Sequence, residues 1–358
     1  MRLAVIAITG NGAELARTVS NFFEGAELFV SNRYASYSSS PENIFEPKEL
    51  RNLLSSIWKA YDGFIFIMAT GIVVRMIAKL MESKSSDPAV VVMDEAGKFA
   101  ISLLSGHLGG ANTLAQLCAS ATGGEAVITT ATDVNNLPSF DLLAKEHGWL
   151  IDDISRIKIL NSLLLDKKEI AVVDTSGQTS GWLNGRGDIN FYDTFAEALR
   201  SGAAGFLFVT NRELLPEELR DNLLILRPRN LVLGIGCNRG TTSHELEAFL
   251  LHHLGHLSLS AKSVACLATI AAKSDEVGLI ELSERLAVPL HCFEADELNK
   301  INCPSPPSDH AFAAVGATGV AEPSAILASN GGKLLLKKVK NANVTLAVAE
   351  IEEKWVSK

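Results

Sequence analysis

The chain has 358 residues, too many for one ordinary core; at ~100–200 residues per domain, that length predicts two or three domains. With 47% hydrophobic and 20% charged residues it can bury a sizeable core, and a net charge of −9 argues against a general nucleic-acid binder, whose footprint would be basic. Five scattered cysteines, at 118, 237, 266, 292 and 303, form no CxxC pair, which points to reduced thiols in a cytoplasmic protein and away from a disulfide frame or a zinc site.

Residues 3–8 form an apolar run broken by Thr9-Gly10-Asn11-Gly12; this predicts a strand turning into a helix, and the run is too short for a secretory signal. Up to residue 133, strands are predicted at 3–8, 27–30, 64–67, 89–93, 99–103 and 126–129, with helices over 13–23, 47–61, 72–81 and 111–121. This alternation predicts an α/β fold, a mostly parallel sheet with flanking helices and ligand sites at the strand C-termini. The polar stretch 31–46 reads as a surface loop, with a lid as the alternative. The most hydrophobic window, 63–80, is interrupted by Gly71, Arg75 and Lys79, so no membrane span is expected. Asp94-Glu95-Ala96-Gly97 predicts a hairpin turn between Val92 and Phe99.

The turn Ser105-Gly106-His107-Leu108-Gly109-Gly110-Ala111-Asn112 lies between a predicted strand and a predicted helix. Its glycines let a ligand approach backbone N–H groups, and one imidazole with a hydroxyl and an amide nearby points to a proton being moved. A packed turn whose histidine caps a neighbouring helix is the alternative. Thr70, Gly71, His107 and Thr130 are expected together on one sheet edge, since strand ends on one side of a parallel sheet are neighbours. Arg75, one turn into its helix, reads either as part of a solvated face or as a carboxylate ligand.

Residues 134–227 read as a middle α/β lobe, with helices over 141–147 and 154–165 and strands at 169–173, 189–191, 205–209 and 223–226. No nucleophile, metal pair or phosphate loop stands out there. Arg227-Pro228-Arg229-Asn230 marks the next junction, giving expected domains 1–133, 134–227 and 228–358. The last of these reads as a separate α/β domain that opens on a strand, a glycine turn and a helix. Its Gly234, Gly236 and Gly240 are spaced one residue longer than the dinucleotide fingerprint, so a nicotinamide oxidoreductase is a weak reading, beside anion binding at the helix N-terminus. Further strands are predicted at 264–271, 288–292, 333–338 and 343–351, and helices over 275–287 and 294–300. Pro323 is expected to begin a helix, with Glu322 at its N-terminus. His252-His253-Leu254-Gly255-His256 has a metal-like spacing, but Gly255 should end the helix before His256 joins its partners.

Taken together, several stretches resemble the CbiG family, the cobalt-precorrin 5A hydrolases of oxygen-independent cobalamin synthesis. They are 68–75 (Met-Ala-Thr-Gly-Ile-Val-Val-Arg), 84–90 (Lys-Ser-Ser-Asp-Pro-Ala-Val), Asp94 to Gly97, Leu104 to Asn112 and 127–133 (Val-Ile-Thr-Thr-Ala-Thr-Asp). The C-terminal part is similar to the domain shared with CobE-type proteins, through 234–241, Lys273-Ser274-Asp275-Glu276 and 319–324. The resemblance implies opening of the δ-lactone of a cobalt-bound corrinoid and release of the extruded C20 unit as acetaldehyde. The cobalt then belongs to the substrate, and no metal or cofactor is bound by the protein itself. Other cobalamin-pathway enzymes are possible partners; nucleic acid and membrane are not expected.

Motif placement assigns the expected roles. His107 is the general base, with Ser105 as an alternative nucleophile and Asp133 or Glu95 sharing the later carbon–carbon cleavage. Backbone N–H groups of Gly109 and Gly110 serve the oxyanion. Arg75, Lys84 and Arg239 hold the acidic arms, and Thr70, Gly71, Gly106, Asn112, Thr130, Gly236, Gly240, Thr241 and Glu322 complete the substrate-binding set. The corrinoid is expected between the two glycine turns. A non-catalytic corrinoid carrier is the competing reading.

Overall fold

In the computed structural model, which describes residues 1–35, 42–83, 86–107, 109–174 and 176–351, the alternating pattern resolves into three sheets. The chain divides into two units, Met1–Leu143 and Ala144–Lys358.

The first unit contains β1 (Leu3–Ala7), α1 (Gly10–Phe22), β2 (Glu27–Ser31), β3 (Glu42–Phe45), α2 (Leu50–Ile57), β4 (Gly63–Ile67), α3 (Thr70–Ile77), β5 (Ala89–Met93), β6 (Phe99–Leu104), α4 (Ala111–Thr122), β7 (Glu125–Val127) and α5 (Ala131–Val134). The strand order is β3-β2-β1-β4-β5-β6-β7. β1, β4 and β5 are buried along their whole length because helices cover both faces, which is why they read as unbroken apolar runs. On one face Val5, Ile65 and Val91 pack with Ala13, Ala16, Leu114 and Cys118 of α1 and α4. On the other, Ile6, Phe64 and Phe66 pack with Leu54 and Val73 of α2 and α3, and Trp58 stacks on Phe64 with ring centroids 5.1 Å apart.

Two expectations need correction here. The stretch 31–46 contains an edge strand, β3, paired in parallel with β2 and held by Arg17, whose Nε is 2.7 Å from Glu42. Its apolar signal is weak because Ile44 faces out, 60% exposed; residues 36–41 lie outside the described residues. More consequential is the hairpin at Asp94–Gly97. It forms as expected, closed by the Gly97 N–H on the Asp94 carbonyl and by the Asp94 carboxylate accepting from Ala96 and Phe99. It makes β6 antiparallel to β5, with Met93 opposite Ala100 and Val90 opposite Leu104, and β7 then follows β6 in parallel. The C-terminal ends of β6 and β7 therefore lie at the edge where β4 and β5 begin. His107 and Thr130 occupy that edge; Thr70, Gly71 and Glu95 occupy the opposite one. A five-residue strand at ~3.3 Å per residue separates them by about 15 Å.

Helix α6 (Phe140–Glu146) spans the division between the units. The middle sheet, with order β10-β9-β11-β12-β8, is parallel except for the short β8. Its elements are β8 (Leu150–Ile151), α7 (Ser155–Leu165), β9 (Ile170–Asp174), α8 (Ser180–Leu183), β10 (Ile189–Phe191), α9 (Phe195–Arg200), β11 (Gly205–Val209) and β12 (Leu223–Arg227). The last sheet, ordered β15-β14-β13-β17-β16, is built from β13 (Leu231–Cys237), α10 (Ser243–His256), β14 (Val264–Ile270), α11 (Val277–Leu286), β15 (Leu290–Phe293), α12 (Ala295–Leu298), α13 (Asp309–Val315), α14 (Ala321–Ala328), β16 (Lys333–Lys340) and β17 (Val344–Glu350). β13, β14 and β15 are parallel, and β16 and β17 form the expected edge hairpin.

The junction between these two sheets is a polar clasp. The Arg227 guanidinium, with 2% of its side chain exposed, donates to the Asp152 carboxylate at 2.9 Å and to the carbonyls of Thr210 and Arg212. Asp152 also takes Lys262 at 2.8 Å, while Glu350 accepts from Asn211 and Asn230. The buried charge is thus paired and its donors are used, as burial requires.

Candidate active site

The turn after β6 is held by its own backbone. Ser105 takes a left-handed conformation with φ 58° and Gly110 does so with φ 88°; Ala111 N–H then reaches the Ser105 carbonyl at 3.1 Å and Asn112 N–H the Gly106 carbonyl at 3.0 Å. A side chain at Gly109 would collide with the Cβ and carbonyl of Ser105, and one at Gly106 would stand 2.7 Å from the Asn112 amide oxygen. These glycines therefore serve close packing of the turn. The Ser105 hydroxyl donates to the Asp87 carbonyl at 2.9 Å.

His107 stands in this turn with 19% of its side chain exposed. Its Nε2 is 2.7 Å from Asp133 Oδ2 and 3.1 Å from the Thr132 hydroxyl. Asp133 is delivered by the turn from β7 into α5, which starts at the same edge. Asn112, in the first turn of α4, donates from its amide to Asp133 Oδ2 at 3.0 Å and to the Thr130 hydroxyl at 3.3 Å. The Ser102 hydroxyl, on β6, donates to the Asn112 oxygen at 2.6 Å. A carboxylate only accepts, so the proton of the neutral ring belongs on Nε2 and the lone pair on Nδ1. The arrangement can remove a proton at Nδ1 and hold the resulting imidazolium against Asp133.

Of the residues expected at the site, His107, Ser105, Gly106, Gly109, Gly110, Asn112, Thr130 and Asp133 come together. The Gly110 N–H is not offered to a ligand; it closes the turn on the His107 carbonyl at 2.9 Å. Thr70, Gly71, Arg75 and Glu95 do not join this group, because the hairpin puts them on the far edge. There Glu95 accepts the Thr9 hydroxyl at 2.6 Å and Arg75 donates to the Gly71 carbonyl at 2.9 Å. Lys84 and Leu108 lie outside the described residues.

In the second unit the turn after β13 is bound to the segment after β14. Gly240 N–H donates to Glu276 Oε1 at 2.7 Å, and the other oxygen of that buried carboxylate meets Lys273 at 3.3 Å. Arg239 pairs with Asp275 at 2.6 Å, which holds the Asp275 carboxyl below its ordinary range, and also donates to the Ala272 carbonyl. Thr241 donates to the Asn238 carbonyl at 2.9 Å, and Gly236 packs against Thr345. Burial pushes the neighbouring Cys237 thiol up. Lys273, Asp275 and Glu276 are the charged residues that a search of the glycine turn alone misses; their signal is the Lys-x-Asp-Glu run directly after β14. Gly234 is a packing residue, since a Cβ there would meet the Ala321 carbonyl of α14.

Glu322 is 2% exposed, and its carboxylate accepts the Ser305 N–H, the Ser305 hydroxyl and the Lys338 N–H. Its helix, α14, starts at Ala321, so Pro323 is the third residue, still within the turn where a missing N–H costs nothing. The histidine run also needs correction: α10 continues through Gly255 to His256, and Ser258, with φ 53°, ends it. The His252 and His256 rings consequently share a face, centroids 4.4 Å apart. No group of three or more His, Cys, Asp or Glu among the described residues is arranged to hold a metal ion. No helix among them is long and apolar enough to cross a membrane.

Comparison with known proteins gives three consecutive family matches: Cobalamin synthesis G N-terminal over residues 52–133, Cobalamin biosynthesis central region over 138–228, and Cobalamin synthesis G C-terminus over 231–349. A cobalt-precorrin-5A hydrolase of Priestia megaterium is 38% identical over 354 residues, covering 97% of this chain and 94% of its own. One from Salmonella typhimurium is 33% identical over 363 residues, covering 97% of each chain. Protein CobE of Sinorhizobium sp is 30% identical over 121 residues, 33% of this chain and 79% of that protein.

Proposed function

The chain belongs to the CbiG family of cobalt-precorrin-5A hydrolases, enzymes of cobalamin biosynthesis, and on that premise we propose that it converts cobalt-precorrin 5A to cobalt-precorrin 5B by opening the δ-lactone and releasing the C20 unit as acetaldehyde. The observation that carries the placement of this chemistry is the His107–Asp133 pair, 2.7 Å apart in a glycine turn.

In this reading His107 Nδ1 takes a proton from water as the water oxygen bonds to the lactone carbonyl carbon. The carbonyl oxygen becomes an oxyanion, for which Gly109 N–H is the donor of choice, Gly110 being committed to the turn. When the tetrahedral carbon collapses, its bond to the ring oxygen breaks, and the imidazolium returns its proton to that oxygen. The products are an acetate arm and a free hydroxyl on C20. Deprotonation of that hydroxyl by the same imidazole lets the bond from C20 to the macrocycle break, its electron pair passing into the conjugated ring, and the two-carbon unit leaves as acetaldehyde. Asp133 keeps the ring oriented and offsets its charge through both stages. Cobalt arrives with the substrate, so no metal ligand from the protein is required. The bond from Ser105 to Asp87 supports water over Ser105 as nucleophile.

Purified protein mixed without air with the methylated lactone intermediate is expected to release acetaldehyde, and His107→Ala to abolish that release. Binding without release in the wild type would favour the carrier reading. Release at the wild-type rate by His107→Ala would remove His107 from the chemistry.

A further inference from the structure

We infer that Asn112 is a positioning residue that never meets the substrate and whose side-chain amide holds the Asp133 carboxylate where it accepts from His107 Nε2–H. The inference rests on the reading of His107 as the base. Asn112 is 7% exposed and donates to the same Asp133 oxygen that meets His107 Nε2. Its amide orientation is dictated by its neighbours, because a carboxylate can only accept and the NH2 group must therefore face Asp133. The Ser102 hydroxyl, donating to the amide oxygen, locks that orientation from the strand below. Asp133 Oδ2 then receives two donors, the Asn112 amide at 3.0 Å and His107 Nε2 at 2.7 Å. The chain Ser102 to Asn112 to Asp133 runs donor to acceptor and fixes the place of the carboxylate, which then accepts from Nε2–H of the ring.

The packing of the turn is consistent with this function. Gly106 has room for no side chain because the Asn112 amide oxygen fills the space, and the Asn112 N–H is bonded to the Gly106 carbonyl. The residue is therefore held at both ends, and a substrate arm has no free Asn112 donor to reach. The carboxylate of Asp87, whose carbonyl takes the Ser105 hydroxyl of this turn, accepts the Glu82 N–H at 2.9 Å.

Asn112→Asp tests the role. It replaces the donor with a carboxylate that repels Asp133, so Asp133 should leave Nε2 and the neutral ring should show both tautomers. This is read in the full chain by nitrogen NMR of labelled histidine, with no substrate present. The wild-type ring, once neutral, should show the Nε2–H form. Asn112→Ser, too short to reach Asp133, should show a mixture of both neutral forms and lower kcat with KM unchanged. A substrate-binding asparagine would instead raise KM and leave the ring form alone. An unmixed Nε2–H ring in a folded Asn112→Asp or Asn112→Ser protein overturns the proposal; should Asn112→Asp not fold, the serine variant decides it. The NMR result stands apart from catalysis, so an active His107→Ala would sink the base assignment without touching the measured positioning.

Discussion

Asp133 Oδ2 and His107 Nε2 meet at 2.7 Å although 26 residues separate them in the chain. Neither residue reaches the other through its own turn; β6 and β7 have to pair in parallel before the loops that follow them lie side by side. Asp133→Asn tests what the contact does. The Asn112 NH2 keeps the oxygen of the new side chain at the Oδ2 position, where it still accepts from Nε2–H, but the imidazolium formed in the reaction loses the negative charge that offsets it. The expected loss in kcat is about 10²-fold or more, within the usual range for general-base catalysis, with KM little changed. Acetaldehyde release under single-turnover conditions reads it directly.

Ser105→Ala separates the two candidate nucleophiles. The Ser105 hydroxyl is used in a bond to the Asp87 carbonyl, so its loss should cost about 1 kcal/mol of stability and leave kcat near wild type. A collapse of turnover with stability intact would restore Ser105 as the nucleophile.

Glu95→Gln examines the consequence of the hairpin. Glu95 is bonded to Thr9 on the edge opposite His107. Turnover should therefore be retained, and a substantial kcat loss in a stably folded Glu95→Gln protein would show that both edges contribute to one reaction.

Gly109→Ala should be destabilising because its methyl group would collide with Ser105 in a turn that has no slack. Overpacking of this kind costs about 1–3 kcal/mol. Activity should fall with it, since the displaced backbone carries His107. Equilibrium denaturation and turnover measured on the same protein should change together.

Asp152 provides a pH test in the second unit. Burial alone would raise its carboxyl, but hydrogen bonds from Arg227 and Lys262 outweigh burial and hold it below the ordinary 3.8. A folded-state value lower than the unfolded one means that the contribution is complete above 3.8 and fades as pH falls through the folded value. Asp152→Asn, which leaves the buried Arg227 guanidinium without its carboxylate, should cost about 3 kcal/mol near neutrality. The gap between wild type and variant should close only below about pH 4, and a gap that narrowed already between pH 7 and 5 would contradict the pairing.

Much of the fold is legible locally. β1, β4 and β5 announce themselves as short apolar runs, and Thr9, Gly110 and Thr242 stand where helices begin. β3 is missed because an edge strand with one face in water carries few apolar residues. His256 is misplaced because glycine is taken as a helix end, whereas the packing of Leu250 and Leu254 against the sheet carries α10 past Gly255. Within the site, the turn from Ser105 to Asn112 and the importance of His107 are visible as residues. The division of labour among them is not, since the fate of the Gly110 N–H and of the Ser105 hydroxyl depends on which acceptors folding brings near.

The sequence by itself determined the α/β alternation, the hairpin at Asp94–Gly97, the glycine turn around His107 and, through its motifs, the family. Only the tertiary structure decided which of these features share an edge. A four-residue turn reverses the chain, but the effect of that reversal is felt two strands later, when β6 pairs antiparallel with β5 and carries β7 with it. The turn residues already imply the antiparallel β5–β6 pair, but that β7 joins β6 in parallel is a property of pairing that no residue type records; the two together are why Asp133 stands with His107, and Glu95 and Thr70 do not.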